Sequence, residues 1–252
     1  MNILLGGALG RMGREVTLAA QAAGESIVCG VDVAYNGQPC DYPVVTGYEQ
    51  FNGQADVMID FSRPDSLADL LKLAVEKKMP VVLCTTGYTD VEIESIQQAA
   101  QQIPVLRSAN MSLGVNVLTE LVAMAARTLE GYDIEIVEKH HRMKVDSPSG
   151  TALMLYESAK KEKGPETEPV FGRYGRAEKR TAGEIGIHAI RGGTVTGEHE
   201  VGFYGNGERL LLTHSAENRA LFAQGALKAA RYLMDKPAGL YSMRDVVREM
   251  LG

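Results

Sequence analysis

Between Glu138 and Leu153 the chain reads EKHHRMKVDSPSGTAL, and five of the six residues from Lys139 to Lys144 can carry positive charge. A histidine beside a lysine has the makings of a proton donor with an anion-binding partner, and a bound dianion favours the charged form of a neighbouring histidine. The Ser147-Pro148-Ser149-Gly150-Thr151 turn follows at once. Proline suits the first position of a helix, so Ser147 is expected as its cap and Pro148 as its first residue. The early N–H groups of Ser149, Gly150 and Thr151 would then form a receptor for a carboxylate. Charge-assisted hydrogen bonds contribute roughly 1.5–3 kcal/mol each, so two or three of them with Lys144 could hold a small dicarboxylate. A basic run by itself is often a solvated face; its continuation into a helix start is what makes this one a candidate site. His140 and His141 are adjacent and lack a cysteine partner or an HxxxH spacing, so no metal site is expected.

A second constellation lies at the N-terminus. Gly7, Gly10 and Gly13 form GxxGxxG between an apolar run and a helical pattern, and Asp32 follows nineteen residues after Gly13. Glycines let a backbone approach a pyrophosphate, a helix start directs free N–H groups at it, and a carboxylate at the second strand end can accept a ribose hydroxyl. Leu9 stands where the usual fingerprint has its middle glycine, and the bland alternative is a turn that serves tight packing. Asp32 is followed by Val33 with no basic side chain to meet a 2′-phosphate, which leans toward NADH, although Arg11 or Arg14 could reach a phosphate. Two further loops, Cys84-Thr85-Thr86-Gly87 and Ser108-Ala109-Asn110-Met111, fall at the carboxyl ends of expected strands, where open parallel sheets bind ligands.

The elements that must position these residues follow from hydrophobic periodicity. Short apolar runs at 2–6, 26–32, 57–61, 80–84 and 104–107 alternate with helical patterns at 11–23, 65–77 and 90–101, as βαβ units do. A longer helix carries Val115, Leu118, Leu121, Val122, Ala125 and Leu129 and ends at Gly131. Residues 133–138 alternate as a strand with Ile134 and Ile136 on one face, and a helix is expected over 148–163, stopped by Gly164-Pro165. A polar loop is expected over 166–183, then strands at 185–191, 194–203 and 208–214 and a last helix at 220–234. The fold class is therefore α/β: a Rossmann-type parallel-sheet domain over 1–111, with 220–252 packing back onto it, and an α+β domain with a mixed sheet over 112–219.

Composition sets the outer bounds. With 252 residues, 45% of them hydrophobic, the chain can form such a core, and a net charge of −6 argues against nucleic acid as partner. Cys29, Cys40 and Cys84 form no CxxC pair and fit a reducing, cytoplasmic setting. The N-terminus has its arginines after the apolar run, the reverse of a signal peptide, and no segment is long enough to span a bilayer.

With these residues in place the chain resembles the 4-hydroxy-tetrahydrodipicolinate reductase (dihydrodipicolinate reductase) family. The resemblance runs through GALGRMG, DFSRP at 60–64, TTG at 85–87, SAN at 108–110, GVNV at 114–117, HHxxKxDxPSGTA, and the late GEH and GERL segments. It implies an enzyme that uses NADH or NADPH to reduce a cyclic imine or enamine dicarboxylate in lysine and diaminopimelate biosynthesis, with loss of a 4-hydroxyl as water. By the same resemblance His140 is the proton donor and Lys144 assists protonation and binds substrate. His141 contacts one carboxylate, and Gly150 and Thr151, with Ser149 nearby, cradle the other. Gly7, Ala8, Leu9, Gly10, Arg11, Met12, Asp32, Thr85, Thr86, Ala109 and Asn110 match cofactor positions, with Cys84, Ser108 and Met111 in the same loops. The family has Ala where Ser147 stands, and many members have Gly where Cys84 stands. A homotetramer that pairs the sheets of the second domains, and domains that close over both ligands, are implied as well. Arg219 and the Gly192-Gly193 pair are weaker candidates, for carboxylate contact and backbone flexibility, and Lys139 and Arg142 receive no role. The competing readings are another two-domain dehydrogenase acting on a small acid, which would not need HHxxK followed by PSGT, and a dinucleotide sensor without chemistry.

Overall fold

The computed structural model describes residues 1–176 and 179–251. The chain divides into two units, Met1–Leu113 with Arg219–Gly252, and Gly114–Asn218.

In the first unit, strands β1 (Asn2–Gly6), β2 (Ser26–Val31), β3 (Val44–Val45), β4 (Val57–Asp60), β5 (Val81–Leu83), β6 (Pro104–Arg107) and β12 (Gly239–Tyr241) form one sheet. Their order is β12-β6-β5-β4-β1-β2-β3, and every pairing is parallel. Both faces are covered, so the strands are apolar on both sides. Leu4, Met58, Val81, Leu83 and Val105 pack on one face with Leu70 and Ala74 of helix α2 (Leu67–Glu76) and Ile96 of α3 (Asp90–Ala100). Ile3, Leu5, Ile59, Val82 and Leu106 pack on the other with Val16 of α1 (Arg11–Ala22), Ala226 and Ala230 of α6 (Ala220–Met234) and Val246 of α7 (Met243–Leu251). The close seat of α6 needs Gly225, where a Cβ would stand 1.7 Å from the Met111 carbonyl oxygen.

The second unit holds α4 (Leu113–Thr128), β7 (Asp133–His140), α5 (Gly150–Lys163), β8 (Glu168–Phe171), β9 (Glu184–Arg191), β10 (Gly197–Tyr204) and β11 (Arg209–Ala216), with Leu113 itself counted in the first unit. The sheet order β11-β10-β7-β9-β8 is mixed: β10 runs antiparallel to β7 and β11, while β9 runs parallel to β7 and β8. Ile134, Ile136, Ile187, Val201 and Phe203 pack against Leu118 and Val122 of α4 and Ala152, Leu155 and Ala159 of α5. The expected fold class is the one observed.

The differences are local. The chain expected to loop over 166–183 forms β8 within it, and residues 177 and 178 of that stretch lie outside the described residues. β7 runs two residues past its expected end, to His140. Helix α5 starts at Gly150, not Pro148, and its cap is Ser149, not Ser147. The reason is in the geometry of Ser149, whose extended backbone lets its Oγ accept from the Ala152 N–H at 3.1 Å.

Candidate active site

Each unit carries one set of candidate residues. In the first, β1 ends in a glycine turn fastened to the neighbouring strand by the Gly7 N–H, which donates to the Val31 carbonyl at 2.8 Å. Gly7 has a φ of +70°, and a Cβ there would meet the Phe61 carbonyl oxygen at 2.6 Å, so only glycine fits. A Cβ on Gly13 would stand 2.3 Å from the Gly7 oxygen, which is how α1 seats against the turn. The cap of α1 is Gly10, and no side chain caps it. The first turn of α1 thus keeps amide groups for an anion.

Asp32 ties that turn to the next strand. One carboxylate oxygen accepts from the Leu9 N–H at 2.9 Å and the other from the Ala34 N–H at 2.9 Å, leaving acceptor capacity on both. Gly7, Leu9, Gly10 and Asp32 line a cleft of about 470 Å³ with Thr46, Phe61, Ser62, Arg63, Asp65 and Asp69 among its other walls. The amide-bearing helix start and the half-engaged carboxylate fit the pyrophosphate and ribose of a dinucleotide. The remaining expected cofactor residues do not all share that cleft. Ser108 and Ala109 line a recess of about 420 Å³ with Tyr241, Ser242 and Asp245. Ala8 is buried, and Met111, 3% exposed, belongs to the core, so its side chain is not presented to a ligand.

Asp60, the first residue of DFSRP, has a role that the motif alone did not show. It is 1% exposed and accepts from Tyr48 Oη at 3.0 Å, Thr85 Oγ1 at 2.8 Å and the Ser62 N–H at 3.2 Å. Burial pushes its carboxyl above the ordinary value, against the hydrogen bonds from Ser62, Thr85 and Tyr48 that favour the charged form. It thereby fastens the 61–63 and 84–86 loops at the carboxyl ends of β4 and β5. Thr85 is buried and gives its hydroxyl proton to Asp60, and Thr86 is the exposed hydroxyl of the same loop. The signal was an aspartate inside the otherwise apolar strand VMID.

In the second unit the alternation of β7 puts Glu138 and His140 on the same buried face as Ile134 and Ile136. Glu138 is fully buried. Its Oε1 accepts from the Ser149 N–H at 2.9 Å and Arg191 Nη2 at 2.7 Å, and its Oε2 accepts from Arg191 Nη1 at 2.7 Å and lies 2.6 Å from His140 Nδ1. Burial alone would raise the Glu138 pKa; the Arg191 guanidinium, His140 and the Ser149 amide overcome it and hold the carboxyl below its ordinary value. Arg191 also donates to the Asp146 carbonyl at 2.7 Å.

His199 of β10 packs edge-on to His140 with ring centroids 5.1 Å apart, and its Nε2 lies 2.9 Å from Ser149 Oγ. Burial first, then the neighbouring His140, pushes its pKa down to about 4, so it is neutral at physiological pH. Gly197, at the start of β10, also lies beside the ring: a Cβ there would stand 3.0 Å from Nε2. The missing side chain leaves that nitrogen clear.

The segment after β7 is held by the Gly192 N–H on the His140 carbonyl at 2.9 Å and the Arg142 N–H on the Gly193 carbonyl at 3.3 Å. The Lys144 N–H returns to the His141 carbonyl at 3.1 Å, and Lys144 Nζ donates to both oxygens of Asp146 at 2.8 Å. The hydrogen bond from Lys144 holds Asp146 below its ordinary pKa. Ser149 is engaged on both sides, its N–H by Glu138 and its Oγ by Ala152 and His199, so it builds the turn rather than presenting a donor. Gly150 is exposed with open space where a Cβ would stand.

Set beside known proteins, residues 1–111 match the family described as "Dihydrodipicolinate reductase, N-terminus" and residues 114–247 the one described as "Dihydrodipicolinate reductase, C-terminus". The chain belongs to the dihydrodipicolinate reductase family. A relative from Caldanaerobacter subterraneus subsp. tengcongensis, named 4-hydroxy-tetrahydrodipicolinate reductase, is 46% identical over 99% of both chains. Among solved structures, a dipicolinate-bound dihydrodipicolinate reductase from Paenisporosarcina sp. TG-14 superposes with a TM-score of 0.81 at 22% identity, covering 96% of this chain and 97% of its own. The WlbA dehydrogenase of Thermus thermophilus, solved with NAD and UDP-GlcNAcA, shares the fold more distantly, with a TM-score of 0.52 at 13% identity over 95% and 96%. This reductase family thus accounts for both units of the chain, at the sequence level and in the fold. Among the described residues no group of histidines, cysteines and carboxylates is placed to hold a metal ion, and no helix is long and apolar enough to cross a membrane.

Proposed function

We propose that the chain reduces (2S,4S)-4-hydroxy-2,3,4,5-tetrahydrodipicolinate to tetrahydrodipicolinate with loss of water, in lysine and diaminopimelate biosynthesis. The observation that carries the reading is the juxtaposition of a buried histidine, paired through Nδ1, with an anion-receiving helix start, within a chain whose full-length relatives bear that enzyme's name. The cofactor is a pyridine nucleotide, which when bound supplies the hydride. His140 donates the proton from Nε2, the nitrogen left clear by Gly197. Lys144 leaves Asp146 to bind one substrate carboxylate and assists protonation, and His141 contacts the same group. Gly150 and Thr151 at the start of α5 receive the other carboxylate, with Ser149 holding the turn in shape.

In the first unit, Gly7, Ala8, Leu9, Gly10, Arg11 and Met12 hold the pyrophosphate and Asp32 accepts a ribose hydroxyl, while Thr86, Ala109 and Asn110 line the nicotinamide end. NADH is the preferred form. Supporting it, the cleft carries Asp32, Asp65 and Asp69 against Arg63, the single cation among its described lining residues. The same reading includes a cytoplasmic homotetramer joined through the outer face of the second sheet, where Ile190, Tyr204 and Leu211 are 49%, 37% and 40% exposed.

The test couples the purified chain to the preceding synthase, which makes substrate from pyruvate and aspartate semialdehyde, and follows oxidation of NADH and of NADPH. Oxidation that depends on the synthase is expected with both, faster at low NADH than at low NADPH. Absence of oxidation with either cofactor would overturn the reading.

A further inference from the structure

The proposed reaction uses His140, but the structure spends its most deeply buried charge on the residue behind it. Glu138 is fully buried and uses all four acceptor positions, two on Arg191, one on the Ser149 amide and one at His140 Nδ1. An ionised carboxylate only accepts, a backbone amide only donates, and a guanidinium does not release its proton. Nδ1 of His140, 2.6 Å from Oε2, is therefore the donor in that contact.

We propose that Glu138, locked in place by Arg191, is a positioning residue that fixes His140 as its Nδ1–H tautomer, so that the proton passed to substrate leaves from Nε2. This rests on the reading of His140 as the acid and adds what makes it one. The N–H bond at Nε2 breaks as the substrate bond to hydrogen forms. The electron pair stays on Nε2, and the ring is left neutral with its remaining proton on Nδ1 facing the carboxylate. The charged groups around the ring are consistent with that assignment: Glu138 on its own strand, Arg191 on β9, and Lys144 with Asp146 on the following turn. His199 on β10 adds a neutral edge contact. The carboxylate stabilises the imidazolium before transfer and the tautomer after it, as the carboxylate of a catalytic triad does.

Glu138→Gln separates this role from a merely structural one, because its geometry forces a direction. The new amide carries one oxygen and one NH₂. Arg191 presents one donor to each oxygen, so either orientation sets the NH₂ against an Arg191 Nη; at Oε1 it would also meet the Ser149 N–H, a donor fixed by the backbone, so it takes the Oε2 position and faces His140, the one neighbour that can change from donor to acceptor. The substituted side chain then keeps the helix-start contact but presents a donor to Nδ1. The neutral ring must move its proton to Nε2, and the imidazolium loses its partner.

The experiment is nitrogen-15 NMR of the five histidine rings of the full-length chain, with His140 assigned by the signals lost in His140→Gln, alongside steady-state kinetics. The wild type is expected to show neutral His140 protonated at Nδ1, and Glu138→Gln to show it protonated at Nε2. The variant's kcat should fall by about 10²-fold or more, the usual worth of a general acid, while KM moves less than about threefold because the carboxylate receptors are intact. A wild-type ring protonated at Nε2 would overturn the proposal, and that measurement does not depend on the variant folding. So would an unchanged tautomer in Glu138→Gln with near-normal kcat. An unchanged kcat in His140→Gln would instead refute the acid assignment, whatever the tautomer.

Discussion

On the proposed reading Asp32 is the residue on which cofactor selection turns, and replacing it with asparagine gives that selection a magnitude. Its two oxygens each accept one backbone N–H at 2.9 Å, from Leu9 and Ala34, and each keeps room for one more donor. A ribose 2′-hydroxyl bound there makes a charge-assisted hydrogen bond worth roughly 1.5–3 kcal/mol. A 2′-phosphate in its place loses that bond and brings about two negative charges to about 5 Å from the carboxylate, a repulsion of about 1–2 kcal/mol in a water-like dielectric. Together these amount to about 3 kcal/mol, or a preference for NADH near 10²-fold. Asp65 and Asp69 in the same cleft reinforce the sign, and Arg63 offsets part of it. Asp32→Asn removes the charge and leaves a single oxygen, so that one of the two backbone N–H groups faces an amide NH₂. The ratio of kcat/KM for NADH to that for NADPH should then fall to within about tenfold of unity, because the carboxylate terms vanish while the pyrophosphate contacts of both cofactors suffer alike. The assay is cofactor oxidation at saturating substrate, with dissociation constants for both cofactors measured in its absence. A wild-type preference for NADPH, or a ratio unmoved by the substitution, would refute the reasoning.

Asp146→Asn should tighten binding of dipicolinate, a non-reducible dicarboxylate, by about two- to fivefold, since an exposed ion pair worth up to about 1 kcal/mol no longer competes for Lys144; weaker binding by calorimetry would count against Lys144 as a carboxylate ligand. Gly197→Ala places a methyl against His140 Nε2 and should lower kcat at least tenfold with a smaller effect on cofactor affinity; near-normal turnover would mean that Nε2 is not the working atom. His199, at about 4 in the fold, resists protonation that the unfolded chain accepts near pH 6.5, so stability should drop as pH falls from 6.5 to 4, by about 3 kcal/mol. His214, also lowered by burial, acts in the same direction, so the comparison is with His199→Gln, whose melting temperature should depend less steeply on pH in that window; equal slopes would refute it. Lys144→Ala should cut dipicolinate affinity and turnover with an unchanged melting temperature, whereas Arg191→Ala strands a buried carboxylate at a cost of about 3–5 kcal/mol and should lower it by about 6 °C or more. Equal thermal stability of the two variants would break the distinction between them.

The parts of the fold that the sequence announces are those with a period. β1, β4 and β6 are continuous apolar runs buried on both faces, and the glycine turn after β1 has its own spacing. β3, with two residues, and β12, with three, are edge strands too short to carry a pattern. β8 lies in polar chain, where only its pairing with β9 makes it a strand. The site divides in the same way. His140, Lys144 and the Ser-Gly-Thr turn sit within twelve residues of one another and form a visible motif. Arg191 is 53 residues from Glu138, and His199 is 50 from Ser149, so those partnerships exist only once β9 and β10 flank β7. One signal was available: with Ile134 and Ile136 on the inner face, alternation also sends Glu138 and His140 inward. A carboxylate on a buried face demands partners, and the nearby cations were the place to look.

The concentration of positive charge after Glu138 has a different meaning in the structure than in the sequence. Lys139 pairs with Glu198 at 2.9 Å, Lys144 with Asp146 at 2.8 Å, and the arginine that β9 adds pairs with Glu138 at 2.7 Å. Three of the four lysines and arginines gathered here are thus matched by carboxylates, in keeping with a chain of net charge −6. What distinguishes these pairs is how easily each can be broken. Asp146 is 60% exposed, so water and a competing carboxylate both reach it, and surrendering Lys144 costs little. Glu138 has no exposed surface, and stripping Arg191 from it would leave a buried charge unpaired. A dianion arriving at this site can recruit Lys144 but not Arg191. The site thus pairs one exchangeable cation from the run, which on the proposed reading meets substrate, with one fixed cation from β9, which holds the carboxylate behind His140. The difference between them is burial, which the fold supplies and the charge pattern alone does not show.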